Sequence, residues 1–206
     1  SSTVALNAGA PRCNGSVAIT LGGQMRTYRS VYPSFKRYIL EDSRAAVDIF
    51  ISTWTKSGQT EKHKAGERDA EAPVSPTELK DLYAPCAVQI EKFPDEGYNE
   101  YRGVKRPGGL REKHIDKDTK SSIPNFYKIF AANALKSAAE ERRGRRYDLV
   151  IRLRPDLEIL EPLPMAFTAL GRPTDGNTLY SSLYMIRETN QVSDKLAFGS
   201  SEVMDY

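Results

Sequence analysis

The stretch DLVIRLRPDLE, residues 148–158, decides the fold that this sequence predicts. Side chains in a strand alternate between its two faces, so Leu149, Ile151, Leu153 and Leu157 are predicted to point one way. Pro155 cannot donate to a β-ladder and predicts the end of regular pairing there. The polar side chains on the other face collect at the carboxyl end of the strand, where open α/β sheets bind ligands; they belong to Arg152, Arg154, Asp156 and Glu158.

Strands and helices alternate along the rest of the chain. Apolar runs predict strands at Val17–Leu21, Val47–Ile51 and Val88–Phe93, and further strands are expected from Tyr147, at Thr178–Ile186 and at Leu196–Phe198. Helices are predicted from about Ser30, from a capping box at Ser75–Glu78 through Tyr83, and from about Ser122 to Arg143, with Ile123, Phe126, Phe130 and Ala134 on one face.

This alternation predicts an α/β fold with a mixed, mostly parallel sheet flanked by helices. We expect residues 1–206 to form one domain, with a loose lead-in over residues 1–15. The charged segments 56–73 and 94–121 are predicted as long exposed loops, which in compact domains are usually functional.

The overall composition restricts the class of ligand. A net charge of +3 suits an anionic small ligand but is too weak for the basic footprint of a nucleic-acid binder.

No apolar run approaches the roughly 20 residues of a membrane span, and no signal peptide is visible, so the expected location is cytoplasmic. The abrupt ends are compatible with a domain of a longer protein that carries further enzyme domains. Cys13 and Cys86 have neither zinc-ligand spacing nor the pattern of a disulfide framework.

The residues at the end of the 148–158 strand suit a diphosphate. Asp156 and Glu158 can offer hard oxygen ligands to Mn²⁺ or Mg²⁺, and the forks of Arg152 and Arg154 can bind phosphate oxygens or orient the carboxylates. A surface strand with structural Arg–Asp pairs explains the same pattern equally well, so the residues alone leave both interpretations open.

The exit of the first strand supplies a second candidate element, Gly22-Gly23-Gln24-Met25-Arg26. The glycines allow the backbone to approach a ligand closely, and Arg26 can reach a phosphate or a base. Glycines after a strand are also ordinary turn formers, and the segment is neither a GxGxxG nor a Walker motif.

Five motifs in order carry a family resemblance over Val17–Met204: LGGQMRTY, VDIFISTWTK, NFYKIFAAN, YDLVIRLRPDLEI and SDKLAFGSSEVM. Together they resemble a family of small GT-A-like glycosyltransferases found in large DNA viruses of algae and in bacterial surface-polysaccharide loci. The resemblance implies a GT-A fold, a UDP-sugar donor and a divalent metal held by Asp156. Glu158 is a weaker match as the second carboxylate, because D-L-E departs from the D-x-D pattern.

Four further residues are candidates for contacts with the donor or the acceptor. Asp194 falls where the family carries a late aspartate and is predicted to act on the sugar or the acceptor hydroxyl, with a turn cap as the structural alternative. Tyr127 and Lys128 are predicted to open the long helix and meet the nucleotide, with core packing and a solvated surface, respectively, as alternatives. Thr53 completes the predicted donor contacts.

Trp54 and Asp48 are given structural interpretations. Trp54 is the only tryptophan, and we expect it in the core although it could stack on a base or sugar. Asp48 lies inside an apolar strand and needs a partner if it is buried, such as an arginine or a ribose.

The sequence therefore predicts a metal-dependent hexosyl- or deoxyhexosyltransferase that moves a sugar from a nucleotide-sugar to a hydroxyl of a glycan acceptor. Two alternatives remain, a non-catalytic nucleotide- or glycan-binding module and another nucleotide-dependent transferase such as a sulfotransferase. The latter needs a catalytic histidine or lysine near the first loop, and the sequence has no such histidine.

Overall fold

The fold was obtained as a computed structural model. It describes residues 3–6, 13–41, 46–56, 73–93, 112–161, 177–181 and 195–205, with side chains described in these ranges except at 3–6 and 112–123. The strands are Thr3–Leu6 (β1), Val17–Gly22 (β2), Val47–Trp54 (β3), Ala87–Glu91 (β4), Leu149–Leu153 (β5), Tyr180–Ser181 (β6) and Leu196–Gly199 (β7). The helices are Tyr28–Phe35 (α1), which continues as a π-helical segment Lys36–Glu41, Pro76–Tyr83 (α2), Glu112–Arg143 (α3) and Ser201–Met204 (α4).

The described strands form one mixed sheet in the order β1-β4-β3-β2-β5-β7-β6. The four central strands are parallel, and β1, β7 and β6 add antiparallel edges. The chain passes from β2 through β3 to β4 and then returns to the other side of β2 for β5. The predicted α/β class with a mixed sheet and flanking helices is confirmed.

Both faces of the central strands are covered, as a parallel sheet requires. On one face, Ile19, Ile51 and Ile151 pack with residues of α1 and α2. On the other face, Phe50 and Val150 pack with Ala139 of α3 and with other small or aromatic side chains. The alternation of the 148–158 stretch is therefore confirmed as far as Leu153, where β5 ends before Pro155.

Three predicted boundaries differ from the observed ones. The expected loose lead-in contains β1, which pairs antiparallel with β4 as an edge strand. Helix α3 begins at Glu112, inside the segment expected to be a loop, because residues 112–120 contain no glycine or proline to stop a helix. Of the strand expected at 178–186, the described part is the short β6. Residues 57–72 and 94–111 of the predicted loops lie outside the described residues.

The face of α3 on which the sequence places Phe126, Phe130 and Ala134 is not the face that packs on the sheet. Phe126, Phe130 and Ala134 are exposed, and the side chain of Ile123 lies outside the described ones. The buried side of the helix instead carries small residues and two lysines, including Ala132, Lys128 and Lys136. Helical periodicity identifies a common face but does not say which side of the helix the sheet occupies, and close approach to the sheet favours alanine.

The sequence pattern indicated no disulfide framework, whereas the structure contains a disulfide. Cys13 and Cys86 are bonded, with Cα atoms 5.9 Å apart although 73 positions separate them in sequence. Cys86 directly precedes β4, and Cys13 lies shortly before β2. Sequence spacing gave no signal because the tertiary fold, not a short loop, brings the two residues together.

Candidate functional site

The carboxyl ends of β2 and β5 lie side by side at the point where the strand order reverses. The chain leaves β2 toward β3 on one side, whereas β5 lies on the other side of β2. In open α/β sheets, ligands bind outside the carboxyl ends of the strands at such a switch point. The segments that follow these two strands, residues 22–27 and 154–161, are therefore the candidate site.

The glycine pair after β2 admits helix α3. A Cβ on Gly22 would lie 2.6 Å from the carbonyl oxygen of Lys128, and one on Gly23 would lie 3.2 Å from Oδ1 of Asn125. Gly23 also has a φ of +133°, which few other residues tolerate. In the structure these glycines allow helix α3 to approach the end of β2. Their predicted role, to let the protein backbone approach a ligand, stays a prediction.

Two arginines converge on one carboxylate beside these glycines. Arg154 donates from Nε to Oδ1 of Asp156 at 2.6 Å and from Nη2 to Oδ2 at 3.0 Å. Arg26 donates from Nη1 to the same Oδ2 at 3.2 Å and from Nε to Oε1 of Gln24 at 3.2 Å. We call Arg26, Arg154 and Asp156 the Arg–Asp–Arg cluster, and Gln24 orients its first arginine.

The backbone geometry that builds this cluster is local. Arg26 has a φ of +42°, in the left-handed region that non-glycine residues seldom adopt. Asp156 lies in the turn that follows Pro155, and the backbone N–H of Leu157 closes that turn on the carbonyl of Arg154 at 3.1 Å. The turn, rather than strand alternation, brings Arg154 and Asp156 together.

The cluster holds two positive charges and one negative charge. The side chain of Asp156 is only 9% exposed, and both of its oxygens face guanidinium groups. Glu158 is exposed. A metal that used Asp156 would have to displace a guanidinium, whereas an anion would be attracted by the surplus positive charge. A single carboxylate completed by substrate phosphates and waters is a usual way to hold Mg²⁺, so the residues fit that mode of binding.

One other group in the described part of the chain has metal-ligand atoms close together, and it is not a cation site in this form. Cys13, Cys86 and Asp48 bring their ligand atoms within 4.8 Å of one another, but the two sulfurs are bonded in the disulfide. Asp48 accepts from Tyr147 Oη at 2.7 Å and from the backbone N–H of Gly15 at 3.0 Å. The expected need of Asp48 for a partner is thus met, with the Arg143 guanidinium 3.8 Å away.

A second polar group lies at the carboxyl ends of β3 and β4. Lys128 is fully buried, forms an ion pair with Glu91 and places Nζ 4.0 Å from the ring centroid of Trp54. Tyr127 donates to the other oxygen of Glu91 at 3.2 Å and stacks on Trp54. Phe93 meets Trp54 edge-on. We call these five residues the aromatic–lysine cluster.

The positions of Tyr127 and Lys128 differ from those predicted. Both lie in the middle of α3 and not at its start, and the interpretation of Lys128 as a solvated surface residue was wrong. Burial lowers the pKa of Lys128 below its ordinary value, and the Glu91 carboxylate opposes that shift. Trp54 is 3% exposed, which confirms its expected place in the core.

The remaining predicted site residues are spread over the sheet. Arg152 is half-buried on β5, opposite Thr20 of β2 and Ala197 of β7 in register. Thr53 is fully buried on β3, and its Oγ1 has no hydrogen-bond partner among the residues described. Asp194 lies outside the described residues.

Sequence reasoning missed Glu91 and Phe93 as members of a cluster at this edge. A signal was present, because Glu91 and Phe93 lie in the last half of the predicted strand Val88–Phe93, and ligands bind at the carboxyl ends of parallel strands. Asn125, which lies against Gly23, carried no signal, since its position depends on how α3 crosses the sheet.

No helix in the described parts of the chain is both long and apolar enough to span a membrane. Comparison of the whole chain with protein-family models, with curated proteins and with solved structures finds no match.

Proposed function

We propose that this protein is a glycosyltransferase that takes a sugar from a nucleotide-sugar, with UDP-sugars favoured, and passes it to a hydroxyl of a glycan acceptor. The observation that carries the proposal is the Arg–Asp–Arg cluster at the switch point between β2 and β5. The five ordered sequence motifs and their resemblance to GT-A-like enzymes support the choice of reaction.

The chemistry of sugar transfer matches the charges of the cluster. The bond between the anomeric carbon and the diphosphate breaks, a bond to the acceptor oxygen forms, and the acceptor hydroxyl loses its proton. Negative charge builds on the departing nucleoside diphosphate, and guanidinium groups stabilise such charge through paired hydrogen bonds. Arg26 and Arg154 are the residues that we assign to the diphosphate.

Asp156 has two roles in this proposal. Without ligand it holds Arg26 and Arg154 together. With donor bound, the phosphates would pair with the two guanidinium groups, and Asp156 would be the residue that holds Mn²⁺ or Mg²⁺. When bound, the metal supplies positive charge at the diphosphate. Asp194 stays our candidate for the group that acts on the acceptor or the sugar.

Metal-dependent donor binding tests the proposal. We expect UDP-sugars, in preference to GDP- and dTDP-sugars, to raise the melting temperature in Mn²⁺ and much less in chelator. Asp156→Asn should abolish the metal-dependent rise. It should leave or strengthen the binding of UDP in chelator, because both guanidiniums then lose their carboxylate partner.

Two matched variants sharpen the test. Asp148→Asn removes an exposed carboxylate next to the opposite end of β5 and should bind donor like the wild type. Glu158→Gln separates a single-carboxylate site, in which binding is kept, from a two-carboxylate site. A set of nucleotide-sugars that gives no shift with or without metal would overturn the donor-site assignment.

Turnover separates the enzyme from a non-catalytic binding module. In the samples that bind donor, release of UDP with acceptor glycans or water supports glycosyl transfer. Donor binding with no release of nucleotide under any of these conditions would instead identify a nucleotide- or glycan-binding module.

A further inference from the structure

Helix α3 presents an apolar stripe to solvent. Phe126, Phe130, Ala134 and Ala138 follow one another at a spacing of four residues, and all four are exposed. Phe126 is 56% exposed and Phe130 is 71% exposed. We call these four residues the Phe–Ala stripe.

The stripe cannot turn into the core of its own chain. The opposite side of α3 lies against the sheet, where Lys128 and Lys136 are fully buried and paired with Glu91 of β4 and with Asp205, which follows α4. Rotating the helix to bury the phenylalanines would break both ion pairs and expel two charged groups from their partners. Within the part of the chain that the structure describes, the two phenylalanines therefore leave on the order of 250 Å² of aromatic surface uncovered.

The order of large and small residues makes the stripe self-complementary. Phe126 and Ala138 lie at equal distances on either side of residue 132, and so do Phe130 and Ala134. If two copies of α3 pack antiparallel about a two-fold axis at residue 132, each phenylalanine meets an alanine. Ridges at a spacing of four residues are the ones that most often interlock between helices.

We propose that a second copy of this chain covers the Phe–Ala stripe, forming a two-fold symmetric dimer through antiparallel α3 helices. Phe126 packs against Ala138 of the second copy, and Phe130 packs against its Ala134. The contact is isologous, the usual form of a dimer interface.

The charges around the helix favour a protein partner over an anionic lipid surface. None of the four stripe positions is charged. Among the described side chains of α3, the exposed charged ones are Glu141 and Arg142, which have opposite signs and lie just beyond the stripe. The arginines beyond the helix end are bound within the chain. Arg143 and Arg145 donate to the backbone carbonyls of Gly15 and Asn14, at 2.7 and 2.6 Å. Arg146 pairs with Asp205 at 3.1 Å. Helices that lie on anionic membranes instead keep their basic residues available to lipid head groups.

The size of the contact indicates a reversible dimer. The stripe extends over about 18 Å of helix, at roughly 1.5 Å per residue. One such helix pair buries less than the about 800 Å² per partner of a standard interface. We therefore expect dissociation in the micromolar range rather than a permanent assembly.

Exchanging the large and small residues tests this packing. Phe130→Ala leaves alanine facing alanine, and Ala134→Phe makes phenylalanine face phenylalanine. In sedimentation equilibrium over a concentration series, each single variant should weaken dimerisation at least tenfold. The double variant Phe130→Ala/Ala134→Phe restores one large and one small residue at each contact and should return to within about threefold of the wild type.

All these positions are exposed, so the variants should keep the wild-type circular dichroism and melting temperature of the monomer. A wild-type chain that stays monomeric up to several hundred micromolar would overturn the proposal. Equal loss in the single and double variants would overturn the antiparallel register. Sedimentation with vesicles of phosphatidylcholine and phosphatidylserine that depends on Phe126 and Phe130, without dimerisation, would assign the stripe to a membrane surface instead.

Discussion

Gly22 and Lys128 are in such close contact that the first has no room for a side chain. A Cβ on Gly22 would lie 2.6 Å from the carbonyl oxygen of Lys128 and 2.7 Å from the Cα of Ile129. The atoms on the helix side belong to the backbone and cannot rotate away. The contact fixes how closely helix α3 approaches the end of β2, next to the candidate site.

We expect Gly22→Ala to destabilise the fold by about 3 kcal/mol, because overpacking against backbone forces the helix to shift. Gly144→Ala is the matched control, since nothing lies within 4 Å of its Cβ position and only its φ of +68° is unfavourable. That variant should cost about 1 kcal/mol. Urea unfolding measures both, and equal effects would contradict the role of the contact.

The buried ion pair between Lys128 and Glu91 should behave as a unit. Lys128→Met leaves a carboxylate at the edge of the core without its cation, and Glu91→Gln leaves a buried ammonium without its anion, so each should cost about 3 kcal/mol. The double variant should cost no more than either single one. Lys80→Met, at an exposed lysine, serves as a control with little expected effect. Additive losses in the double variant would show that the two charges do not interact.

Stability should fall in alkali because of a buried tyrosine. Burial, together with the hydrogen bond to Asp48, raises the pKa of Tyr147 far above its ordinary value. The unfolded chain therefore releases this proton near pH 10 while the folded chain keeps it, so the contribution is complete below about pH 10 and is lost above it. Burial also raises the pKa values of Tyr28 and Tyr83.

Tyr147→Phe isolates the contribution of this group. Its free energy of unfolding should decline less steeply than that of the wild type between pH 10 and 11.5, by up to about 1.4 kcal/mol per pH unit. At pH 7 the variant should be less stable by about 1–2 kcal/mol, because Asp48 loses a hydrogen bond in a buried site. Urea unfolding at a series of pH values measures both effects, and parallel curves in alkali would refute the assignment.

The disulfide should contribute strongly to stability. It closes a loop of 73 residues, for which loss of chain entropy in the unfolded state predicts about 4 kcal/mol. Cys13→Ser/Cys86→Ser should lower the free energy of unfolding by that order, and reduced wild type should match it. Reductant should not affect the double variant. If removal of the disulfide leaves the free energy of unfolding unchanged, the bond does not restrict the unfolded chain.

The sequence by itself determined the elements whose signals are local. The capping box at Ser75 and the proline after it set the start of α2, and the Ser75 hydroxyl accepts from the Glu78 N–H at 3.3 Å. Alternation placed Leu149, Ile151 and Leu153 on one face, and Pro155 marked the end of β5. These features depend on residues within a few positions of one another, so the sequence contains them.

Tertiary structure alone decided the rest. The side of α3 that faces the sheet, the pairing of Cys13 with Cys86 and the contact between Arg26 and Asp156 all join residues that are distant in sequence. Periodicity predicted a common face for Phe126 and Phe130 but not that this face is exposed to solvent. A pattern along the chain records which side chains share a direction, whereas their neighbours depend on how the strands are ordered and how closely the helix approaches them.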